Sequence, residues 1–243
     1  MKLLLTGATG YIGKRLLPVL VEMGHEVVCC VRDINRYSPS ESLKEKVDII
    51  QIDLLNKESL KAIPKDIDGA FYLVHSMSES LSYEELELVC AKNFRNAIEK
   101  TNVQQVIYLG GIVNEVLLSK HLISRKNVEM ELEKGKYPFT ALRAGIIIGS
   151  GSASFEIMRD LVEKLPFMIT PKWLLTLCQP IAIADVISLL SQSILNSKTY
   201  HKNFDIGGPD ILSYKEMLLE FAHQRNLKRS IKIVPVMTPR LSS

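Results

Sequence analysis

The stretch TGATGYIG, at residues 6–13, carries glycines at positions 7, 10 and 13 and follows the apolar run Leu3-Leu4-Leu5. A helix-like run, YIGKRLLPVLVEMG, leads out of it. A strand that turns through glycine into a helix puts the helix N-terminus at the edge of a sheet. Unpaired backbone N–H groups and the positive end of the helix dipole favour a phosphate there. Gly7 permits the turn, Gly10 lets a pyrophosphate approach the backbone, and Gly13 lets the helix pack closely on the strand. The spacing and its setting predict a dinucleotide loop, against the alternative of a glycine turn with no ligand.

The sequence then repeats one alternation. Residues 2–5, 26–31, 47–52, 70–74, 105–109 and 139–142 read as short buried strands. Helical patterns fall between them at 11–23, 56–63, 82–101 and 124–134. Gly24 is placed to end the first helix in the left-handed region, and Pro18 to kink it. Asn56 suits an N-cap, with Pro64 as a stop. This alternation predicts an α/β fold, a Rossmann-like doubly wound parallel sheet.

After Gly145 the pattern loosens into GSGSASF, helices at 156–164 and 184–195, and a strand, turn and helix in FDIGGPDILSYKEML. The expected organisation is a dinucleotide-binding core over 1–145. Residues 146–243 form a smaller substrate-side lobe packed on it, covering the carboxyl ends of the strands, rather than an independent domain. That lobe is rich in Phe155, Ile157, Met158, Leu161, Phe167, Met168, Trp173, Leu174 and Leu175. These suit an apolar substrate pocket or the lobe's own core.

Bulk properties narrow the function classes. A net charge of +3 with no long basic cluster argues against nucleic-acid or membrane surfaces as partners. No run reaches the roughly 18 apolar residues of a membrane helix, and the start does not read as a signal peptide. Cytoplasmic location is therefore expected. Cys29, Cys30, Cys90 and Cys178 form no CxxC pair, so neither a metal site nor a disulfide framework is expected. The expected partner is a small-molecule substrate or none, with the oligomeric state open.

The end of the second strand bears on the cofactor. An acidic residue there accepts from a free ribose 2′-hydroxyl, whereas arginine pairs a 2′-phosphate. The sequence gives Arg32-Asp33 with Arg36 one turn later, which points to NADP. Asp33 keeps NAD open. Asp53 and Leu54, at the third strand's end, are placed to reach the adenine.

TGATGYIG, IDLL near residue 52, QPIAIADV at 179–186 and FDIGGPDILSYKEM at 204–217 together resemble the short-chain dehydrogenase/reductase superfamily, most of all its extended and atypical branches. YLVHSM at 72–77, YLGGI at 108–112, GSGSASFEIMRDLVEKLP at 149–166 and the terminal TPRLSS are similar to a group of bacterial NAD(P)-binding proteins. Members of that group usually continue into a C-terminal domain of the DUF2867 type, which the sequence up to Ser243 does not contain. The resemblance implies a cofactor site made by Gly7, Thr9, Gly10, Tyr11, Ile12, Arg32, Asp53 and Leu54. It places Val74-His75-Ser76 beside the nicotinamide ribose, Gly110 at the fifth strand's end, and Arg143, Ala144, Gly145 and Ile146 near the nicotinamide ring. It implies an oxidoreductase acting on a small carbonyl or related substrate; Arg32 makes the expected cofactor NADP, and the apolar second lobe suits an apolar substrate. A non-catalytic redox sensor, regulator or assembly factor is the alternative.

Standard members of the superfamily use a Tyr-xxx-Lys pair on one helical face and a Ser or Thr at the fifth strand's end. Here the strand ends Tyr108-Leu109-Gly110-Gly111, and residues 109–136 contain no tyrosine. His121 takes the tyrosine place and Arg125 the lysine place, while Lys126 is about 100° away on a helix. His121 suits a general acid, its ordinary pKa of about 6.5 lying near working pH. Arg125 suits a ribose-holding cation that does not give up its proton. His75 is a second candidate acid. The alternatives are structural: an ion pair between Arg125 and Glu129 at i, i+4, a loop or cap role for His121, and an ordinary polar strand end at His75.

Overall fold

Runs with little polar interruption, LLL at 3–5, VVCCV at 27–31 and VIYL at 106–109, form strands buried on both faces. The computed structural model describes residues 1–75, 83–113 and 120–234. In chain order the elements are β1 (Lys2–Thr6), α1 (Tyr11–Glu22), β2 (Glu26–Val31), β3 (Val47–Gln51), β4 (Gly69–Tyr72), α2 (Tyr83–Ile98), β5 (Gln105–Gly111), α3 (Lys120–Glu133) and β6 (Phe139–Ala144). Then follow β7 (Ile147–Ile148), α4 (Ala153–Lys164), β8 (Phe167–Pro171), β9 (Leu177–Cys178), β10 (Ile181–Ala182), α5 (Ile183–Ser193), β11 (Lys202–Ile206), β12 (Leu212–Ser213), α6 (Tyr214–Gln224) and β13 (Ser230–Val234).

The chain divides into two compact units, Met1–Ala144 with Ala184–Asp205, and Gly145–Ile183 with the chain from Ile206 on. The first holds a seven-stranded sheet in the order β11-β6-β5-β4-β1-β2-β3, and β1 to β6 are parallel. This is the Rossmann-like doubly wound sheet. Leu3 of β1 pairs with Val27 on one side and Gly69 on the other. On one face Leu4, Val28, Tyr72, Val106 and Tyr108 bury against Phe94 and Ile98 of α2 and Val128 and Leu132 of α3. Tyr72 meets Phe94 edge-on at 5.0 Å.

Residues 184–205 join this unit through a buried glutamine. Gln105 Nε2 donates to Thr140 Oγ1 at 2.8 Å and to Thr199 Oγ1 at 3.0 Å, and Gln105 Oε1 accepts from the Leu195 N–H. Leaving that amide unpaired inside the unit would cost about 1–3 kcal/mol.

The second unit packs α4 on α6 around Val162, Leu174, Leu218 and Ala222. Three small sheets complete it: β7 with β10, β9 with β12, and β8 with β13. Ser213 and Glu216 form a reciprocal capping box that starts α6. Of the apolar residues singled out above, Met168 and Leu174 are buried, Phe155 packs on Phe221, and Ile157, Leu161, Phe167, Trp173 and Leu175 are exposed.

Several local expectations shift. Residues 56–63 make only a 3-10 turn, Ser59–Ala62. Asn56 Oδ1 accepts from the Glu58 N–H at 3.0 Å, and the Ser59 hydroxyl donates to the Asp53 and Asn56 carbonyls. These local bonds compete with an α-helix, and Pro64 leaves it no room. The α1 helix runs through Pro18 as one 12-residue element. The α3 helix begins at Lys120, four residues earlier than the pattern suggests.

Candidate functional site

The glycine loop is held from below by Thr6. Its Oγ1 donates to the Phe71 carbonyl at 2.9 Å and accepts from the Leu73 N–H at 3.2 Å, tying the end of β1 to the end of β4. Gly7 follows at φ +72°, where a Cβ would lie 2.5 Å from the Leu73 carbonyl oxygen. The Gly10 N–H donates to the Gly7 carbonyl at 2.9 Å and closes the turn. At Gly13 a Cβ would lie 2.2 Å from the Gly7 carbonyl oxygen, so only glycine lets α1 pack this tightly on the loop. Gly10 is different: a Cβ there meets one atom, the Gly7 oxygen at 3.2 Å, and otherwise faces open space.

The start of α1 has no side-chain cap and no acidic residue in its first turn. Its first backbone N–H groups thus face the space over Gly10 without a competing side-chain acceptor, an arrangement suited to an anion. Thr9 is exposed, and Tyr11 and Ile12 are half-buried beside the turn. The Arg15 guanidinium lies 3.9 Å over the Tyr11 ring. The Tyr11 hydroxyl is buried with no partner among the described residues.

At the end of β2, Arg32 is exposed. The Asp33 carboxylate accepts from the Asn35 N–H at 2.9 Å and lies 3.3 Å from Arg36 Nε. Asp53, beyond β3, is exposed and turned onto its own loop, accepting from the Leu55 N–H at 3.0 Å. Leu54 is buried in the core, and its carbonyl accepts from Asn93 Nδ2 at 2.9 Å.

The ends of β4 and β5 converge on His75. Its Nε2 lies 2.9 Å from the Leu109 carbonyl, which can only accept, so Nε2 carries the proton. The ring meets Tyr108 edge-on at 5.7 Å. Burial and then the nearby Arg125 charge push its pKa down to about 4, against the Leu109 bond. At neutral pH the imidazole is therefore neutral. Its one N–H is committed to β5, and Nδ1 is buried with no partner among the described residues. This makes His75 an acceptor rather than the acid its sequence position suggests. Val74 packs against the core, and Ser76 lies outside the described residues.

Gly110 is closed to a side chain. A Cβ would lie 2.8 Å from Tyr108 Cε1 and 3.5 Å from Glu129 Oε2. The Tyr108 hydroxyl donates to the Arg125 carbonyl at 3.1 Å, fixing the fully buried ring to α3. His121 and Arg125 stand at i, i+4 on α3, but the His121 side chain lies outside the described residues. Arg125 lies over Gly111, where a Cβ would approach its Nη1 to 3.5 Å.

Glu129, the partner that the structural alternative gave to Arg125, binds Arg143, with its oxygens 3.1 and 3.0 Å from Nε. Asp205 lies 3.7 Å from the same guanidinium. The bond to Glu129 raises the Arg143 pKa further above its ordinary value. Arg143 is thus engaged by two carboxylates of its own unit. Ala144 is buried, its carbonyl accepting from the Ile112 N–H at 3.2 Å, and Gly145 opens the second unit. The Glu129–Arg143 pair links a helix to a strand 14 residues on, and no local sequence signal announces it. Among the described residues no three His, Cys, Asp or Glu gather as a metal site, and no helix is long and apolar enough to cross a membrane.

Residues 1–172 match the model of the NmrA-like family. Among curated proteins, divinyl chlorophyllide a 8-vinyl-reductase of Arabidopsis thaliana is 20% identical over 227 residues, which are 86% of this chain and 54% of that protein. Photosystem II assembly factor Ycf39 of Trieres chinensis is 23% identical over 216 residues, 86% of this chain and 64% of that one. The chain spans about half the length of several curated relatives it matches. Among solved structures, UDP-glucose 4-epimerase of Thermotoga maritima superposes with a TM-score of 0.77 at 15% identity, covering 99% of this chain and 88% of that one. MoeE5, solved with UDP-glucose and NAD, gives 0.74 at 19% identity, over 97% and 85%. These structures share the fold. The chain belongs to the NmrA-like family, an atypical branch of the short-chain dehydrogenase/reductase superfamily.

Proposed function

We propose that this protein binds NADP(H) and works as an oxidoreductase on a small, apolar carbonyl substrate. The observation that carries the cofactor choice is at the end of β2. The Asp33 carboxylate is already engaged by Asn35 and Arg36, while Arg32 beside it is exposed and has no ion pair among the described residues. In a doubly wound sheet the adenosine half lies over this strand end, so a 2′-phosphate meets a guanidinium there. The free N–H groups of Tyr11, Ile12 and Gly13 would hold the pyrophosphate, and the open space over Gly10 admits it. The orphaned Tyr11 hydroxyl and His75 Nδ1 supply buried polar atoms that a ligand can complete. A bound nicotinamide supplies hydride chemistry. On α3, His121 would donate the substrate proton, with Arg125 one turn on as the fixed cation.

The closure at Gly110 favours a second reading, a non-catalytic NADP(H)-binding sensor, regulator or assembly factor. The Tyr108 ring stands too close to Gly110 for a side chain there, where the superfamily's serine would be expected. The similarity to an assembly factor supports the same reading. Absorbance at 340 nm separates the two. NADPH that binds and is oxidised by members of a carbonyl panel supports the enzyme. NADPH that binds and is consumed by none supports the second reading.

A further inference from the structure

We propose that the parallel ribbon of β8 and β13 in the second unit, with the turn that follows β8, docks on an anionic lipid bilayer. This docking is independent of the dinucleotide reading.

The ribbon has one covered face. Met168 is buried, and Ile231 opposite it packs on the core around Val162 and Leu218. Side chains alternate along a strand, so Phe167 and Ile169 face the other way, with Ser230 and Lys232 as their register partners. Phe167 and Ile169 stay 52 and 55% exposed. Parallel sheets are almost always covered on both faces, so an apolar parallel ribbon bare on one side marks a contact surface. The 3-10 turn Lys172–Leu175 lies beside β13. Leu174 is buried and holds the turn, while Trp173 and Leu175 are exposed, Trp173 meeting Tyr214 edge-on at 5.8 Å.

Charge points to the occupant. The net charge of +3 is small for the whole chain, but it is not spread evenly. Residues 165–184 and 221–234, which include the ribbon and the turn, carry five Lys and Arg and no Asp or Glu. Arg225 pairs with Glu163, and Arg229 donates to the main-chain carbonyls of Val162 and Glu163. Lys172, Lys228 and Lys232 have no ion pair among the described residues. A second copy on this face would set lysine against lysine. Area argues against a protein partner too. Two strands of five residues present roughly 160 Å² by their ordinary rise and spacing. Even doubled by the turn, this falls well short of the about 800 Å² that each partner buries in a stable protein interface. A bilayer needs no such area. Apolar side chains enter its boundary one by one, tryptophan favours that depth, and lysines reach past them to anionic headgroups.

Trp173 is the only tryptophan of the chain, so its emission reports this surface alone. The test titrates the full chain with phosphatidylcholine vesicles, with and without phosphatidylglycerol, and follows Trp173 emission and co-sedimentation. Vesicles with phosphatidylglycerol should shift the emission to the blue and pellet the protein. Pure phosphatidylcholine should do far less, and high salt should weaken the binding. Lys232→Glu, and the double variant Phe167→Ser with Ile169→Ser, should each weaken it about tenfold or more. Lys61→Glu, the same charge change at an exposed site of the first unit, should stay within about twofold. No shift and no pelleting of the wild type with anionic vesicles overturns the proposal. Equal losses in Lys232→Glu and Lys61→Glu also overturn it, since net charge alone would then account for the binding. A blue shift that grows with protein concentration and needs no vesicle overturns it in favour of a second copy. A shift with polyglutamate but none with vesicles overturns it in favour of an acidic protein.

Discussion

Glu129 on α3 and Arg143 on β6 meet through both carboxylate oxygens, 3.1 and 3.0 Å from the guanidinium Nε. Glu129 is buried and Arg143 half-buried, so the pair is a fixed joint between helix and sheet. Arg143→Gln should cost about 2–3 kcal/mol in a denaturant melt, because it strands a buried carboxylate. Adding Glu129→Gln should recover part of that loss. Purely additive losses in the double variant would show that the pair is not coupled.

Gly10 and Gly13 should separate binding from folding. A Cβ at Gly10 meets only the Gly7 oxygen at 3.2 Å, so Gly10→Ala should cost no more than about 1 kcal/mol of stability. It should still weaken dinucleotide binding more than tenfold, since the methyl stands where the pyrophosphate must approach. Gly13→Ala forces a 2.2 Å contact with backbone and should lower stability by several-fold more. Equal melting temperatures for the two variants would contradict this.

Gly110→Ser restores the superfamily's hydroxyl in sequence but not in space. The new Cβ would stand 2.8 Å from the buried Tyr108 ring, which is tied to Arg125 through its hydroxyl. The expected result is a stability loss of about 1–3 kcal/mol and no gain in carbonyl reduction. A stable variant with raised turnover would show that the strand end has room after all.

His75 gives the fold an acid sensitivity. Its pKa is near 4 when folded and near 6.5 when unfolded. Between those values the unfolded chain binds a proton that the folded protein does not. The contribution is complete above pH 6.5 and is lost as pH falls, by about 2 kcal/mol between pH 7 and 5. His25, also lowered by burial, acts in the same direction. Comparing melts of the wild type and His75→Phe isolates the His75 share. Identical pH slopes would count against it.

The first unit was legible because its signals are local. Leu3-Leu4-Leu5 and EVVCCV are apolar runs bounded by turns, and β2 spans the expected residues, Glu26–Val31. Gly24 takes the left-handed conformation at φ +82° and ends α1 as expected. What escaped the sequence is non-local. Residues 184–205 return to the first unit because Gln105 bonds Thr199, 94 residues away. The β13 strand pairs in parallel with β8, yet SIKIV shows no feature that names its partner. The site divides the same way. The loop glycines are a spacing, but the neutrality of His75 comes from its burial and from the charge of Arg125, 50 residues away, and the bidentate partner of Arg143 is Glu129 on another element.

Arg32 is the residue we propose to pair the 2′-phosphate of a bound NADP(H). The most direct measurement is the fluorescence titration of the wild type and Arg32→Ala with NADPH and NADH. The wild type should bind NADPH at least about tenfold more tightly than NADH, with most of that difference lost in Arg32→Ala. Equal affinities, or a preference for NADH, would contradict it.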